Sequence, residues 1–366
     1  MKHILSGFFA CCLFISANTT QAQDHHQTHN HHAHHVHSTG EPLGVMGAHM
    51  HKKGEWMLSY RAMHMNMHGS RKGTDRIDPL TIATTEANRF FGIPGQPPTL
   101  RVVPTDMTMD MHMFGLMGAP TDWLTIMAMG MWQEKEMDHI TFQGGAGATV
   151  LGTFTTRSKG WGDTKLSTLI RLHESSKHHI HMHAGISLPT GSIDETATVL
   201  APNGSRPRLR MPYAMQLGTG TFDFLPGITY TGHSGAWSWG AQYTSEIRLE
   251  DENWEGYAWD DKHNFSLWGG YQWVPWIHSS LRLFGTTQGK IDGIDPNIVA
   301  PVQTADPDNF GGDILEAAVG LTLTPQKGYL RNHSFGTELS LPLYRDLNGP
   351  QLETDWSLVA AWKITF

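Results

Sequence analysis

Hydrophobic and polar residues alternate along most of the chain from Glu55 to the end. Consecutive side chains of a strand point to opposite faces, so each such segment predicts a strand that is apolar on one side. In the last segment, 355–366, the apolar face consists of Trp356, Leu358, Ala360, Trp362, Ile364 and Phe366. We therefore predict an all-β protein whose final strand ends in an aromatic residue.

The predicted strands lie at 55–67, 107–116, 122–133, 163–174, 177–188, 219–231, 236–249, 262–273, 277–290, 312–324, 333–344 and 354–366. Short connections alternate with longer ones rich in Gly, Pro, Asp and Asn, which is typical of outer-membrane barrels. Residues 45–366 are thus predicted to form a transmembrane antiparallel β-barrel of about 12 strands, with about 10 to 14 compatible. A water-soluble sandwich shares the two-residue period, but it needs neither a secretion signal nor aromatic strand ends.

The amino terminus predicts secretion. Lys2 precedes an apolar core shorter than the roughly 20 residues that span a bilayer, and small residues follow, so 1–22 is predicted to be a signal peptide. Cys11 and Cys12, the two cysteines of the chain, lie inside it. Cleavage before Cys11, as in a lipoprotein, is the alternative, but it would leave the signal peptide with too short an apolar core. The mature chain therefore has no disulfide and no thiolate metal site.

Composition agrees with a barrel in the outer membrane of a Gram-negative bacterium. The chain has 13 Trp, 15 Phe and 39 Gly but is only 39% hydrophobic, which suits a wall with every second residue in lipid and aromatic girdles at the interfaces. We expect both termini in the periplasm and contacts with outer-membrane lipid and the barrel-assembly machinery. The formal charge of −8 argues against nucleic acid. No spacing of Ser, His and Asp or Asn predicts an enzyme.

Three stretches then carry a resemblance to a known family. They are 160–172 with Gly-Trp-Gly-Asp, 184–191 with Leu-Pro-Thr-Gly, and 217–223 with Gly-Thr-Gly. In order and spacing they resemble the outer-membrane transporter family of the meta-cleavage pathway of phenol degradation, over about 45–366. The resemblance implies a β-barrel transporter and, from the pathway, passage of aromatic hydrocarbons. Gly-Asp and Pro-Thr-Gly are turn sequences, so these motifs identify the barrel and not an active site.

Residues 23–44 are predicted to be a disordered periplasmic tail, because they contain too few apolar residues to form a core. Imidazole binds copper, zinc and nickel, and a solvated tail with incidental metal affinity is the alternative. The candidate metal ligands of the tail are His25, His26, His29, His31, His32, His34, His35 and His37.

Methionine is concentrated between Met46 and Met137, where 15 of the 19 lie. Thioether is a soft ligand that selects Cu(I). Alternation places three candidate ligands, Met63, Met65 and Met67, on the face opposite His64 and His68. For 107–113 the methionine row is predicted to face lipid at least as readily as the lumen, because Asp110 and His112 should take the lumen side.

On the third strand, residues 124, 126 and 128 make the better lipid face, so Met127, Met129 and Met131 are predicted to face inward. A further candidate set, His179, His181 and His183, should line the lumen near the periplasmic end. Alternate residues on a strand lie roughly 6–7 Å apart, too far for all three to bind one ion. They form either a ladder of transient metal sites or a polar lining without a ligand.

The sequence thus leads to an outer-membrane channel or transporter linked to soft metal ions, with copper first and zinc or nickel as alternatives for the tail. No cofactor is required, and a periplasmic metal carrier is an expected partner. The alternative is a passive uptake channel for aromatic or hydrophobic compounds, in which methionine and histidine have no special role.

Overall fold

The computed structural model describes residues 40–366. The predicted signal peptide 1–22 and residues 23–39 of the predicted tail lie outside the described residues. Within the described part, no helix is long and apolar enough to cross a membrane.

Eleven strand elements form one antiparallel sheet in which each pairs with the next along the chain. They are β1 (Trp56–Gly73), β2 (Val102–Thr121), β3 (Leu124–Phe142), β4 (Thr164–Glu174), β5 (His178–Leu188), β6 (Gly227–Ser234), β7 (Trp237–Arg248), β8 (Lys262–Val274), β9 (Ile277–Gln288), β10 (Gly312–Leu323) and β11 (His333–Thr365). β11 also pairs with β1, with Thr365 opposite Met57. The sheet is therefore a closed barrel with no free edge.

The last element spans the wall twice. Residues of β11 up to Leu347 pair with β10, and residues from Gln351 onward pair antiparallel with β1. The two halves of β11 thus run in opposite directions, and the wall has about twelve spans. The predicted antiparallel barrel of about 12 strands is confirmed.

The two ends of the barrel differ. At the turn end, short turns join the strands and the chain terminus closes the ring: Trp56 N donates to Phe366 O at 2.8 Å, and Phe366 N to Trp56 O at 2.9 Å. At the loop end, β1, β2 and β3 have 18, 20 and 19 residues, well above the roughly 9–11 that a transmembrane strand needs. These three strands therefore extend beyond the membrane.

Most of the remaining elements lie in the connections at the loop end. They are strands Asp75–Ile77, Val150–Trp161, Thr196–Thr198, Arg208–Arg210, Asp223–Phe224, Tyr257–Ala258 and Asp292–Gly293, helix α1 (Pro79–Thr85), and 3-10 turns Tyr213–Met215, Gln303–Ala305 and Pro307–Asn309; one more 3-10 turn, Gly328–Leu330, lies at the turn end. A core that includes Phe90, Tyr213, Tyr257, Ile298 and Phe310 packs the loops together. We call these packed loops the cap.

Aromatic side chains mark two levels on the outer wall. Trp132 and Trp161 pack edge to face at 5.7 Å between ring centroids toward the loop end. The other level, at the turn end, consists of the exposed Trp56, Trp123, Trp237, Trp273 and Trp276. Two such girdles are typical of the interfaces of an outer-membrane barrel.

Residues 40–55 are folded against the inner wall, so residues 40–44 of the predicted tail are in contact with the barrel. We call Gly40–Glu55 the strap. Its Leu43, Val45 and Ala48 are each 3% exposed. Leu43 packs against Met63 and Val359 of the wall.

Candidate functional site: the lumen

The strap crosses the turn end of the lumen and is bound through its own backbone. Ser238 Oγ donates to Gly40 O at 3.2 Å, and Gln242 Nε2 donates to Met46 O at 2.9 Å. Further strands of the wall also bind the strap backbone. Gly44 N donates to Glu338 Oε2 at 3.1 Å, His181 Nε2 donates to Gly47 O at 2.8 Å, and His51 N donates to Thr125 Oγ1 at 3.1 Å. The lumen is therefore obstructed at this end.

Methionine lines the inner face of the first three strands. Cross-strand register places Met63 opposite Met111, and Met113 opposite Met131. This face is the inner one because Met57, Met117 and Met137 on it are 3%, 4% and 1% exposed. We call the whole set the methionine track: Met57, Met63, Met65, Met67, Met107, Met109, Met111, Met113, Met117, Met127, Met129, Met131 and Met137.

The inward orientation predicted for Met127, Met129 and Met131 is thus found, and of the two orientations left open for Met107–Met113 the structure shows the inward one. Asp110 and His112 point outward instead. Asp110 Oδ1 lies 2.7 Å from His64 Nδ1, and His112 Nδ1 lies 2.7 Å from Tyr60 Oη on the outer wall.

The reason is the position of Asp110 and His112 along the barrel axis, relative to the aromatic girdle at the loop end. His112 lies opposite Trp132, and Asp110 lies opposite Glu134, one pair further toward the loop end. Outward positions at and beyond the aromatic girdle no longer meet hydrocarbon, so polar side chains are stable there.

The outer face of the same strands uses other apolar residues. Leu58, Phe114, Leu116 and Ile126 are 41% to 51% exposed and point away from the lumen. Met182 on β5, 36% exposed, is the outward methionine among the described residues. Thioether and hydrocarbon side chains are therefore segregated between the two faces.

The track ends in a methionine cluster at each end of the lumen. Toward the turn end, Met50 of the strap packs against Met57, Met117, Met127 and Leu169. Toward the loop end, two methionines of the cap join three of the wall, giving a cluster of Met67, Met107, Met137, Met211 and Met215. Sequence reasoning did not assign Met50, Met211 or Met215, and their residue type was the only available signal.

His179, His181 and His183 lie on the inner face, as predicted, and near the turn end. His181 and His183 are 3% and 8% exposed, with ring centroids 5.0 Å apart. His183 Nε2 lies 2.7 Å from Thr229 Oγ1, and His179 stacks on His233 at 5.9 Å.

Each of these histidines already contacts another protein group. Within residues 40–366, no group of three His, Cys, Asp or Glu side chains is arranged to hold a metal ion. The metal role of the three histidines stays a prediction. The histidines at 25–37 lie outside the described residues.

The three family-like motifs meet at Asp163, between Val150–Trp161 and β4. Its Oδ1 accepts from Gly191 N at 2.9 Å, and its Oδ2 accepts from Thr219 N at 2.8 Å. A Cβ on Gly191 would lie 2.7 Å from Gly218 Cα, so the close approach of the two turns requires glycine. These motifs stabilise the wall, in agreement with their interpretation as turn chemistry.

Comparisons with known proteins support the fold. No protein-family profile matches the chain, and no curated protein matches it in sequence. Among solved structures, an outer-membrane channel from Pseudomonas putida F1 is similar with a TM-score of 0.58 and 15% identity, covering 88% of this chain and 100% of that one. The fold is thus that of an outer-membrane channel barrel.

Two other solved structures are less similar. A FadL homologue from Pseudomonas aeruginosa has a TM-score of 0.42 and 9% identity, covering 87% of this chain and 91% of that one. A mutant of the TodX monoaromatic hydrocarbon channel has a TM-score of 0.42 and 10% identity with the same coverages. Both similarities are too low to support an inference.

Proposed function

We propose that this protein is an outer-membrane channel whose methionine-lined lumen carries soft metal ions, with copper as the substrate. The segregation of methionine supports this function. If methionine served only as an adaptable hydrophobe, the lipid face of β1–β3 would contain it as readily as the inner face does. A thioether differs from leucine in being a soft ligand that selects Cu(I), and ligand chemistry accounts for its place inside.

A track of many thioethers suits passage better than a single tight site. Conduction requires binding strong enough for the ion to enter and weak enough for it to leave. Met63 and Met111, like Met113 and Met131, are direct cross-strand neighbours, so successive ligand pairs are available along the wall. Transfer between them needs no enzymatic step, and the passage is passive or driven by a partner.

The remaining metal assignments belong to the same proposal. The histidines at 25–37 would capture Cu(II), Zn(II) or Ni(II) through neutral imidazole, on the periplasmic side if both termini lie there. A periplasmic metal carrier would exchange ions with them. His179, His181 and His183 near the turn end of the lumen would then offer further imidazoles to an entering ion.

The alternative is passive uptake of aromatic or hydrophobic compounds, to which the family resemblance points. It is favoured by a cavity of about 430 Å³ in the cap, lined in part by the aromatic and aliphatic side chains of Phe90, Phe91 and Ile93. A methionine track would also present a low-polarity wall to such a molecule. A lumen lined by leucine would pass a hydrophobic substrate as readily as one lined by methionine, whereas Cu(I) requires the thioether. Replacing methionine with leucine therefore distinguishes the two functions.

The deciding variant is M127L/M129L/M131L, which keeps side-chain volume and apolarity but removes three thioethers; M182L on the outer face is the matched control. In liposomes containing the protein, Cu(I) entry should fall at least several-fold in the triple variant and stay at the wild-type rate in M182L. Unchanged Cu(I) entry in the triple variant, with wild-type entry of a monoaromatic probe, would establish the hydrophobic-compound channel instead.

A further inference from the structure

The five methionines at the loop end differ from every other buried cluster of the described chain in composition. The fully buried members of this cluster, Met107, Met137, Met211 and Met215, are all methionine, at 5%, 1%, 1% and 0% exposure. Met67 packs against them from β1. The neighbouring cap core of ten buried residues contains no methionine and is built from Phe, Val, Ile, Tyr and Ala.

Dry packing alone does not explain that difference. The cap core fills the same kind of interior with residues of well-defined rotamers, which specify a packed core better than methionine does. The chain thus uses branched and aromatic residues where it needs only a core, and methionine where the cap meets the wall. Five methionine side chains from β1, β2, β3 and the cap pack together at that contact, with Ala197, Ala214 and Leu352 beside them.

The cap segment that supplies two of them is held in place by hydrogen bonds. Lys135 Nζ donates to Ala214 O at 3.0 Å, and Gln216 Nε2 donates to Met211 O at 2.7 Å. Met211 N donates to Glu195 O at 2.9 Å. The two cap methionines are therefore positioned before any ligand arrives, which lowers the entropy cost of binding.

We propose that Met67, Met107, Met137, Met211 and Met215 form a binding site for one monovalent soft cation, Cu(I) in the cell. An ion of this kind leaves water for a dry interior only if ligands replace its hydration, and several thioethers supply that replacement. The site joins the cap to the wall, so a bound ion would also hold the cap closed over the lumen. The choice of ion rests on the proposed function, but binding at this place is a separate claim.

The test uses the full-length protein in detergent with its methionine methyl groups labelled with ¹³C, each signal assigned from a single Met-to-Leu variant. Silver nitrate is the probe, because Ag(I) is a soft monovalent ion that does not change oxidation state. The first equivalent that reaches a thioether should shift the five signals of the cluster together. Histidines that also bind silver do not confuse this result, since only methionine methyl groups are observed.

M211L/M215L tests whether the cap completes the site. Because leucine preserves volume and apolarity, this variant should migrate on a gel like the wild type, yet the signals of Met67, Met107 and Met137 should lose their response to the first equivalent. In M182L the response should be unchanged. If the five signals stay fixed while Met129 and Met131 shift, the site is refuted and the proposed function stands. If the cluster shifts but M127L/M129L/M131L carries copper normally, the site stands and the proposed function fails.

Discussion

His51 lies in the strap, where its side chain is enclosed between strap and wall at 4% exposure. Burial lowers the pKa of His51 to about 3, and the nearby His49 and Lys363 act in the same direction while Glu41 opposes them. The docked strap therefore holds a neutral imidazole. When the strap leaves the wall, the imidazole can regain its ordinary pKa of about 6.5.

The first prediction follows from that difference. Because the pKa is lower in the docked state, docking is strongest above pH 6.5 and weakens as the pH falls from there toward 3. Single-channel conductance in a planar bilayer should rise as the pH is lowered from 7 to 4, since the strap then leaves the lumen more often. His51→Gln, which has no charge at any pH, should flatten this rise. Equal slopes in the two proteins would contradict the argument.

Residue orientation was predictable only in part. The two-residue period assigns Met107 and Met109 to one face and Asp110 to the other, and the structure confirms this. It does not tell which face is inside, because a lipid-facing wall and a dry lumen both accept apolar side chains. Asp110 favoured the wrong face, because its position along the barrel axis relative to the girdle is a property of the whole barrel and cannot be read from one strand.

Among the elements, the strap is the one that obstructs the turn end of the lumen. Residues 40–51 add no strand to the wall, and their hydrogen bonds reach it mostly through side chains such as Gln242 and Glu338. Removing them should therefore leave the barrel ladder intact while clearing the turn end of the lumen. This independence makes the strap a suitable target for deletion.

We expect the deletion of 40–51 to give a folded barrel with conductance raised several-fold over the wild type. The control is deletion of 197–207 in the cap, which removes a chain segment of similar length from the opposite end and leaves the strap in place. Heat-modifiable gel migration checks that both proteins are folded. A strap deletion that conducts like the wild type would mean that the lumen is blocked elsewhere.

The elements of the wall could be predicted from the sequence, and the elements inside it could not. Alternation locates β7, for example, and its Gln242 faces the lumen while Trp239 faces outward. The strap has no period, and nothing local indicates that Leu43 packs on Val359 more than 300 positions away. The contact of Met211 with Met107 likewise cannot be predicted from the sequence, because it depends on how the loops pack over the closed ring.

At the scale of the whole molecule, closure depends on the carboxy-terminal residue. Phe366 exchanges two backbone hydrogen bonds with Trp56, and this pair is the last rung between β11 and β1 at the turn end. Its side chain, 65% exposed, lies at the level of the turn-end girdle. Aromatic side chains are favoured at this interface, and an Asp side chain at this position would remove the ring.

Phe366→Asp should therefore lower the yield of assembled barrel in the outer-membrane fraction, while Phe366→Trp should assemble like the wild type. The assay is heat-modifiable migration of protein recovered from fractionated membranes. Soluble wild-type protein in the periplasm would refute the assignment to the outer membrane, and normal assembly of Phe366→Asp would refute the role of the terminal ring.

The strap also determines the order of two steps in assembly, closure of the barrel and docking of the strap. It precedes every wall strand in the chain, yet its partners include Glu338 and Val359 on β11, the last strand to be made. The strap is synthesised before the wall, but it must therefore wait until the ring has closed before it can dock. Between these two events the turn end of the newly inserted barrel is unobstructed, so the speed of strap docking determines how long that end stays open.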